Sequence, residues 1–182
     1  MKIPNIMTAQ EAVKLIKSGD RVLIQGGAAT PQALVKAMVK RGPELKGVEV
    51  VHLHTEGECG YTALELKDSF HTNAFFIGGN IRNMIGVTAD YIPIFLSDIP
   101  SLFRQGYMKL DIVLVNVSHP DKHGFCSLGV SVDIVVSAIE KGKKVIAQIN
   151  KNMPRTFGDG IVHLNNFDAC VMVDEEIHEM KF

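Results

Sequence analysis

The sequence lacks a strong charge of either sign. Nineteen basic side chains stand against twenty acidic ones, a formal net charge of −1, so no basic field points to nucleic acid or an anionic membrane surface. It also lacks long apolar runs, and none approaches the ~20 residues that a membrane-spanning helix needs. Cysteine is scarce: Cys59, Cys126 and Cys170 stand alone, no C-x-x-C pair exists, and no signal-peptide pattern opens the chain. That usage reads as reduced thiols in a cytoplasmic protein. Neither G-x-G-x-x-G nor G-x-x-x-x-G-K-[ST] occurs, which removes most of the case for dinucleotide binding and P-loop chemistry. Internal repeats and low-complexity linkers are absent too.

What is present is an ordinary globular composition. The 182 residues are 46% hydrophobic and 21% charged, enough for one domain with a core of useful size. Thr8 and Glu11 form a capping-box pattern ahead of an apolar helix face that Gly19 ends. "RVLIQ" (21–25) is a short apolar run of the buried-strand kind. After "GGAATP", Thr30 as N-cap and Pro31 at the first helical position predict a helix that Gly42-Pro43 stops. Further strands are expected at 48–55, 73–79, 92–95, 110–118, 144–150, 161–163 and 169–173. A weaker helix is expected in "GYTALELKDSF", a short one before the strand at 92–95, one from Ile99 capped by Asp98, and a clear one in "SVDIVVSAIEKG". Strands alternating with helices predict an α/β domain: an open, mainly parallel sheet with helices on both faces. The strands are apolar runs rather than alternating ones, as burial on both faces requires.

In such sheets ligands bind beyond the carboxyl ends of the strands. The unusual loops all fall there: "GGAATP", "TEGECGY", "GGN", "SHPDKHGFCSLG" and "NKNMPRTFGDG". Gly26-Gly27 between a strand and a helix suits a turn that exposes backbone N–H groups to an anion or a developing oxyanion. A tight turn with no ligand explains the same pair. His52 and His54, two apart on a strand, share one face and with Cys59 raise a zinc site, but the usual spacings and a fourth ligand are missing, so no metal is assigned. In "SHPDKHGFCSLG" a Cys–His or Ser–His pair, such as Cys126 with His123, offers a nucleophile and its base. Pro120, Gly124 and Gly129 favour instead a loop of fixed path that presents a ligand wall. Asn150 and Asn152 can donate and accept hydrogen bonds, and Arg155 can pair a carboxylate or phosphate.

Taken together and in order, "TAQEAVKLIKSGDRVL", the strand–GG–Pro helix, "SHPDKHGFCSLGVSVD" and "IAQINKNMPRTFGDGIVHLNNFD" resemble the N-terminal domain of the acetyl-CoA hydrolase/transferase family, of the 4-hydroxybutyrate CoA-transferase type. The resemblance runs over essentially the whole chain. One departure is His119, where the family loop usually has proline. The resemblance implies a Rossmann-type CoA-transferase domain over residues 1–182. It also implies transfer of CoA, as substrate rather than bound cofactor, between an acyl-CoA and a small carboxylate through a glutamyl–CoA thioester. The nucleophilic Glu is then expected beyond Phe182, in a second domain or partner half. Glu56 and Glu58 flank glycines but fall outside the family's nucleophile motif. The expected wall consists of Gly26, Gly27 and Ala28, faced by Ser118, Pro120, Asp121, His123, Gly124 and Phe125, and closed by Asn150, Asn152, Met153 and Pro154. An oligomer is expected, and the isolated chain is expected to be inactive. The alternative is a stand-alone, non-catalytic domain that binds a small anion or acyl-CoA.

Overall fold

The computed structural model describes residue 3 and residues 5–179. Seven strands form one sheet in which every pairing is parallel. They are β1 (Arg21–Ile24), β2 (Val48–His52), β3 (Phe70–Ala74), β4 (Ala89–Tyr91), β5 (Ile112–Val117), β7 (Lys144–Asn150) and β9 (Ala169–Val173), and their order is β4-β3-β2-β1-β5-β7-β9. A separate antiparallel pair joins β6 (Phe125–Ser127) to β8 (Ile161–His163). Among the described residues, four α-helices complete the frame: α1 (Ala9–Ala12), α2 (Gln32–Lys40), α3 (Ile99–Arg104) and α4 (Val135–Lys141).

The apolar runs of the central strands become two cores because side chains alternate across the sheet. In β5, Ile112 and Leu114 join Val22, Ile24 and Ile146 beneath α1 and α2, which contribute Ala12, Leu34 and Met38. Val113, Val115 and Val117 join Leu23, Ala147 and Ile149 beneath α3 and α4, which contribute Ile99, Phe103, Val135 and Ala138. The expected architecture, a parallel sheet with helices on both faces, is therefore what the chain builds.

Local details differ. Thr8 and Glu11 do form the capping box, with Glu11 N donating to Thr8 Oγ1 at 3.2 Å and Thr8 N to Glu11 Oε2 at 2.9 Å. Thr30 does not cap α2. Its hydroxyl donates to Gly27 O at 2.8 Å and accepts from Glu56 N at 3.1 Å, which leaves Pro31 at the N-cap. The helix expected in 60–70 is two 3-10 turns, Gly60–Thr62 and Leu64–Leu66, because Ala63 between them is extended. The strands expected at 73–79 and 92–95 lie earlier, in β3 and β4. Both sit toward the outer edge, where exposed polar side chains such as His71 and Asp90 interrupt the apolar signal. The β6 strand lies unannounced inside "SHPDKHGFCSLG".

Candidate active-site rim

Strand order reverses between β1 and β5. From β1 the chain steps outward through β2, β3 and β4; from β5 it steps the other way through β7 and β9. Such a switch point opens a crevice at the carboxyl ends of the strands, since the two following loops diverge to opposite sides. The loops after β1, β5 and β7, residues 26–28, 118–125 and 150–154, leave three neighbouring strands at that one edge.

Gly26 and Gly27 bring two loops together. A Cβ on Gly26 would sit 2.5 Å from the His54 carbonyl oxygen, and Gly27 has φ +59°. Gly27 N donates to that same carbonyl at 2.9 Å. The glycines therefore permit the loop after β1 to cross the loop after β2, and the Gly27 N–H is not free for an anion. Ala28 follows and lines a cleft of about 470 Å³ together with Gln32, Asn116, Gln148, Glu175 and Glu176.

Polar residues at the ends of apolar strands build the floor of this cleft. Asn116 in β5 and Gln148 in β7 continue the alternation of Leu114 and Ile146, so they face α2. Gln148 Oε1 accepts from Ala33 N in the first turn of α2 at 3.1 Å, and Gln148 Nε2 donates to Glu175 Oε2 at 3.2 Å. Asn150, fully buried, holds the chain beyond β9: its Nδ2 donates to Glu175 O at 2.9 Å, and its Oδ1 accepts from Asn152 N at 3.1 Å and Glu175 N at 3.3 Å. Asn152 Nδ2 adds bonds to Asp174 Oδ1 at 2.9 Å and Glu175 O at 3.0 Å. Met153 is buried and packs where a Gly129 side chain would be, while Pro154 is exposed.

The 118–125 loop is pinned by its own side chains. Asp121 Oδ1 accepts from His123 N at 2.9 Å and Phe125 N at 3.0 Å, and Asp121 Oδ2 pairs with Arg155 at 2.9 Å. The Phe125 backbone bond, followed by the His123 N–H and the Arg155 and His123 charges, holds the Asp121 carboxyl below its ordinary range, despite some opposing desolvation. Arg155 is thus engaged within the chain. Ser118 Oγ accepts from Ser127 N at 2.8 Å, Gly124 O accepts from Leu164 N at 2.9 Å, and the exposed Phe125 ring meets His163 edge-on at 4.9 Å. His123 is exposed and Pro120 half-buried. This loop borders the β6–β8 ribbon; none of its residues lines the cleft beside Ala28.

Cys126 is fully buried, and burial pushes its thiol up to about 12. Its neighbour His123 is exposed, so the two do not make a nucleophile and base. His52 and His54 also part company: β2 ends at His52, whose ring is buried edge-on to Tyr61, while the His54 ring meets Phe76. Cys59 Sγ faces Asn80 O at 3.1 Å. Among the described residues, no three His, Cys, Asp or Glu side chains converge as metal ligands. Of the residues that line the cleft, the sequence singles out Ala28 but not Gln32, Asn116 or Gln148. The available signal is an amide breaking the apolar run as a strand ends: Asn116 in "LVNV", and Gln148 and Asn150 in "IAQIN".

A parallel sheet covered by helices on both faces, with a cleft at its switch point, defines the α/β class. The acetyl-CoA hydrolase/transferase N-terminal domain family matches residues 3–180, and the chain belongs to that family. It is 42% identical over 173 residues to a succinyl-CoA:acetate/propanoyl-CoA:succinate CoA transferase of Fasciola hepatica, covering 93% of this chain and 36% of the relative. It is 39% identical over 177 residues to a 4-hydroxybutyrate coenzyme A transferase of Clostridium kluyveri, covering 97% of this chain and 41% of the relative. The crystal structure of a 4-hydroxybutyrate CoA-transferase from Porphyromonas gingivalis superposes with TM-score 0.83 at 30% identity, over 97% of this chain and 41% of that one. The chain therefore spans well under half the length of these relatives.

Proposed function

We propose that this chain forms the N-terminal wall of a CoA-transferase that moves CoA between an acyl-CoA and a small carboxylate. The carrying observation is the switch-point edge, where loops 26–28, 118–125 and 150–154 leave adjacent strands and Ala28 of the first of them lines an amide-floored cleft. The nucleophile is a Glu carboxylate supplied from outside this chain. That carboxylate attacks the thioester carbonyl, the C–S bond breaks, and an acyl–glutamyl anhydride and CoA thiolate result. The thiolate attacks the glutamyl carbonyl, releasing the first carboxylate and leaving a glutamyl–CoA thioester. The acceptor carboxylate attacks that thioester to form a second anhydride and free the thiolate again. Attack of the thiolate on the acyl carbonyl yields the new acyl-CoA and regenerates Glu. Splitting one exchange into such steps lowers each barrier.

In this reading Ala28 and the strand-end amides contact the substrate, while Asp121, Arg155, Ser118 and Asn150 hold the rim in shape. The family's relatives carry further sequence, which supports a C-terminal half as the partner. Three unpaired thiols fit a reducing cytoplasm, and no helix among the described residues is long and apolar enough to cross a membrane.

Co-expressing the chain with a Glu-bearing C-terminal half should give a complex that exchanges CoA between acetyl-CoA and labelled carboxylates, and Cys126→Ala should leave that exchange in place. Failure of a well-folded complex to exchange CoA would overturn the reading, and CoA binding by the chain alone in calorimetry would then favour a stand-alone binding domain.

A further inference from the structure

The chain beyond β9 is held in two different ways. Asp174 and Glu175 are locked to the loop after β7. Asn150 donates to Glu175 O and accepts from Glu175 N, so a buried side chain meets both backbone groups of that residue. Asn152 Nδ2 donates to Asp174 Oδ1 and Glu175 O, Lys151 Nζ pairs with Asp174 at 3.0 Å, and Gln148 Nε2 donates to the Glu175 carboxylate. The hydrogen bonds stop there: none joins Glu176, Ile177 or His178 to another described residue. Packing holds this stretch instead. A Cβ on Gly57, whose φ is +82°, would lie 2.7 Å from His178 Cε1 and 2.5 Å from Gln32 Nε2, so the His178 ring rests where only glycine leaves room. Gly57 belongs to the loop after β2, and β1 and β5 stand between β2 and β7. Residues 176–178 therefore cross the switch-point edge from one loop to the other, and Glu175, Glu176 and His178 line the cleft beside Ala28.

The charges around the cleft give this crossing a consequence. Acyl-CoA and a free carboxylate are anions. The cleft with the crossing in place is lined by the carboxylates of Glu58, Glu175 and Glu176 against Lys36, and His178 is the other lining residue that can carry positive charge. Lys36 already lies 3.6 Å from Glu58, and Glu175 is tied to Gln148. Glu176 has no such tie to a described residue, and it sits on the stretch that hydrogen bonds do not hold. Repulsion between like charges disfavours an anion in a cleft lined this way.

We propose that residues 176–178 form a strap over the switch-point cleft that swings about the Glu175–Glu176 peptide. The strap is shut while His178 rests on Gly57, and it admits an anionic substrate when it lifts. Asn150 and Asn152 are its anchor, Gly57 is its seat, and Glu176 is the charge that guards the shut state. Lifting carries Glu176 away and leaves the two carboxylates that already have partners. Segments with few hydrogen bonds open locally at small cost, and moving lids are drawn from them. That the incoming molecule is an anion rests on the CoA-transferase reading; the hinge and the seat do not. The relatives carry further sequence, so a second half joined after the strap would be coupled to its position.

Two measurements on the chain test the strap. In hydrogen exchange on the unaltered sequence, the Glu175 amide, bonded to Asn150, should exchange at least about tenfold more slowly than the amides of Ile177 and His178. Equal protection from 175 to 178 overturns the hinge, and this result needs no variant to fold. The second measurement places a thiol in the cleft by Ala28→Cys and follows its alkylation, read at that residue by peptide mass spectrometry. The probes are neutral iodoacetamide and anionic iodoacetate. Adding His178→Ala should unseat the strap and speed both reagents by about threefold or more. Adding Glu176→Gln, which leaves the seat intact, should speed iodoacetate alone by about threefold. Rates that His178→Ala leaves unchanged overturn the strap, and an iodoacetate rate that Glu176→Gln leaves unchanged overturns the guarding charge. If the chain assembled with a Glu-bearing half transfers no CoA, the CoA-transferase reading falls, while exchange and alkylation still decide whether the strap exists.

Discussion

His52 is the residue whose environment has the clearest thermodynamic consequence. It ends β2 with its ring fully buried, neither ring nitrogen has a partner among the described residues, and burial is the main cause that lowers its pKa from 6.5 to about 4. Between those values the unfolded chain binds a proton that the folded chain refuses. The neutral ring is therefore compatible with full stability above pH 6.5, and stability falls as pH drops toward 4. The loss from this one group is roughly 3 kcal/mol across that window. His52→Phe keeps a ring against Tyr61 and removes the titration. Urea midpoints measured at pH 7, 5.5 and 4.5 should decline less steeply in the variant than in the wild type. Equal slopes would mean that His52 is reached by water in the folded state.

At the scale of elements, the 118–125 loop shows how a turn keeps its shape without the proline that position 119 lacks. Asp121 accepts two backbone N–H groups and pairs with Arg155 from the loop after β7. One carboxylate thus ties the loop after β5 both to itself and to its neighbour across the rim. Because the carboxyl is held below its ordinary range, the tie persists at neutral pH and loosens only as acid approaches that lowered pKa. Asp121→Ala should raise amide hydrogen exchange at His123 and Phe125 at least several-fold while exchange in β1 and β5 stays put. Unchanged exchange at those two amides would show that the β6–β8 pairing alone holds the loop. Gln148 plays a comparable part for α2, whose first turn receives an acceptor from a strand instead of from a capping hydroxyl.

Across the whole molecule, the outer end of the sheet presents an apolar surface. Phe76, Tyr91 and Leu96, all exposed, line a groove of about 280 Å³ that also touches His54, and Phe95, 80% exposed, lines a neighbouring hollow that shares Tyr91 and Ile94 with it. Grouped exposed aromatics of this kind mark an association surface. The isolated chain should therefore self-associate: sedimentation velocity should show species larger than a monomer that grow with concentration, and Phe95→Ser should shift the distribution toward monomer. A chain that stays monomeric at every concentration would show that the surface tolerates water.

The amino-acid order by itself determined the sheet and its two helical layers. Uninterrupted apolar strands such as "DIVLVNV" and "KVIAQIN" can be satisfied only by burial on both faces, and their alternation with helical segments makes parallel pairing the natural outcome. It also carried the rim loops and Asn150, because glycine, proline and amide residues cluster visibly after strands. Only the tertiary structure decided which polar groups meet. Gln32 lies on a helix and Asn116 and Gln148 lie on strands far apart in sequence, and each looks alone like a minor break in an apolar pattern. They become one cleft because parallel pairing sets β1, β5 and β7 side by side at a switch point. The same long-range pairing turned Arg155 from a free cation into the partner of Asp121 and buried Cys126 beyond use as a nucleophile. Hydrogen-bond satisfaction and burial depend on neighbours brought in from across the chain, and local sequence does not specify those neighbours.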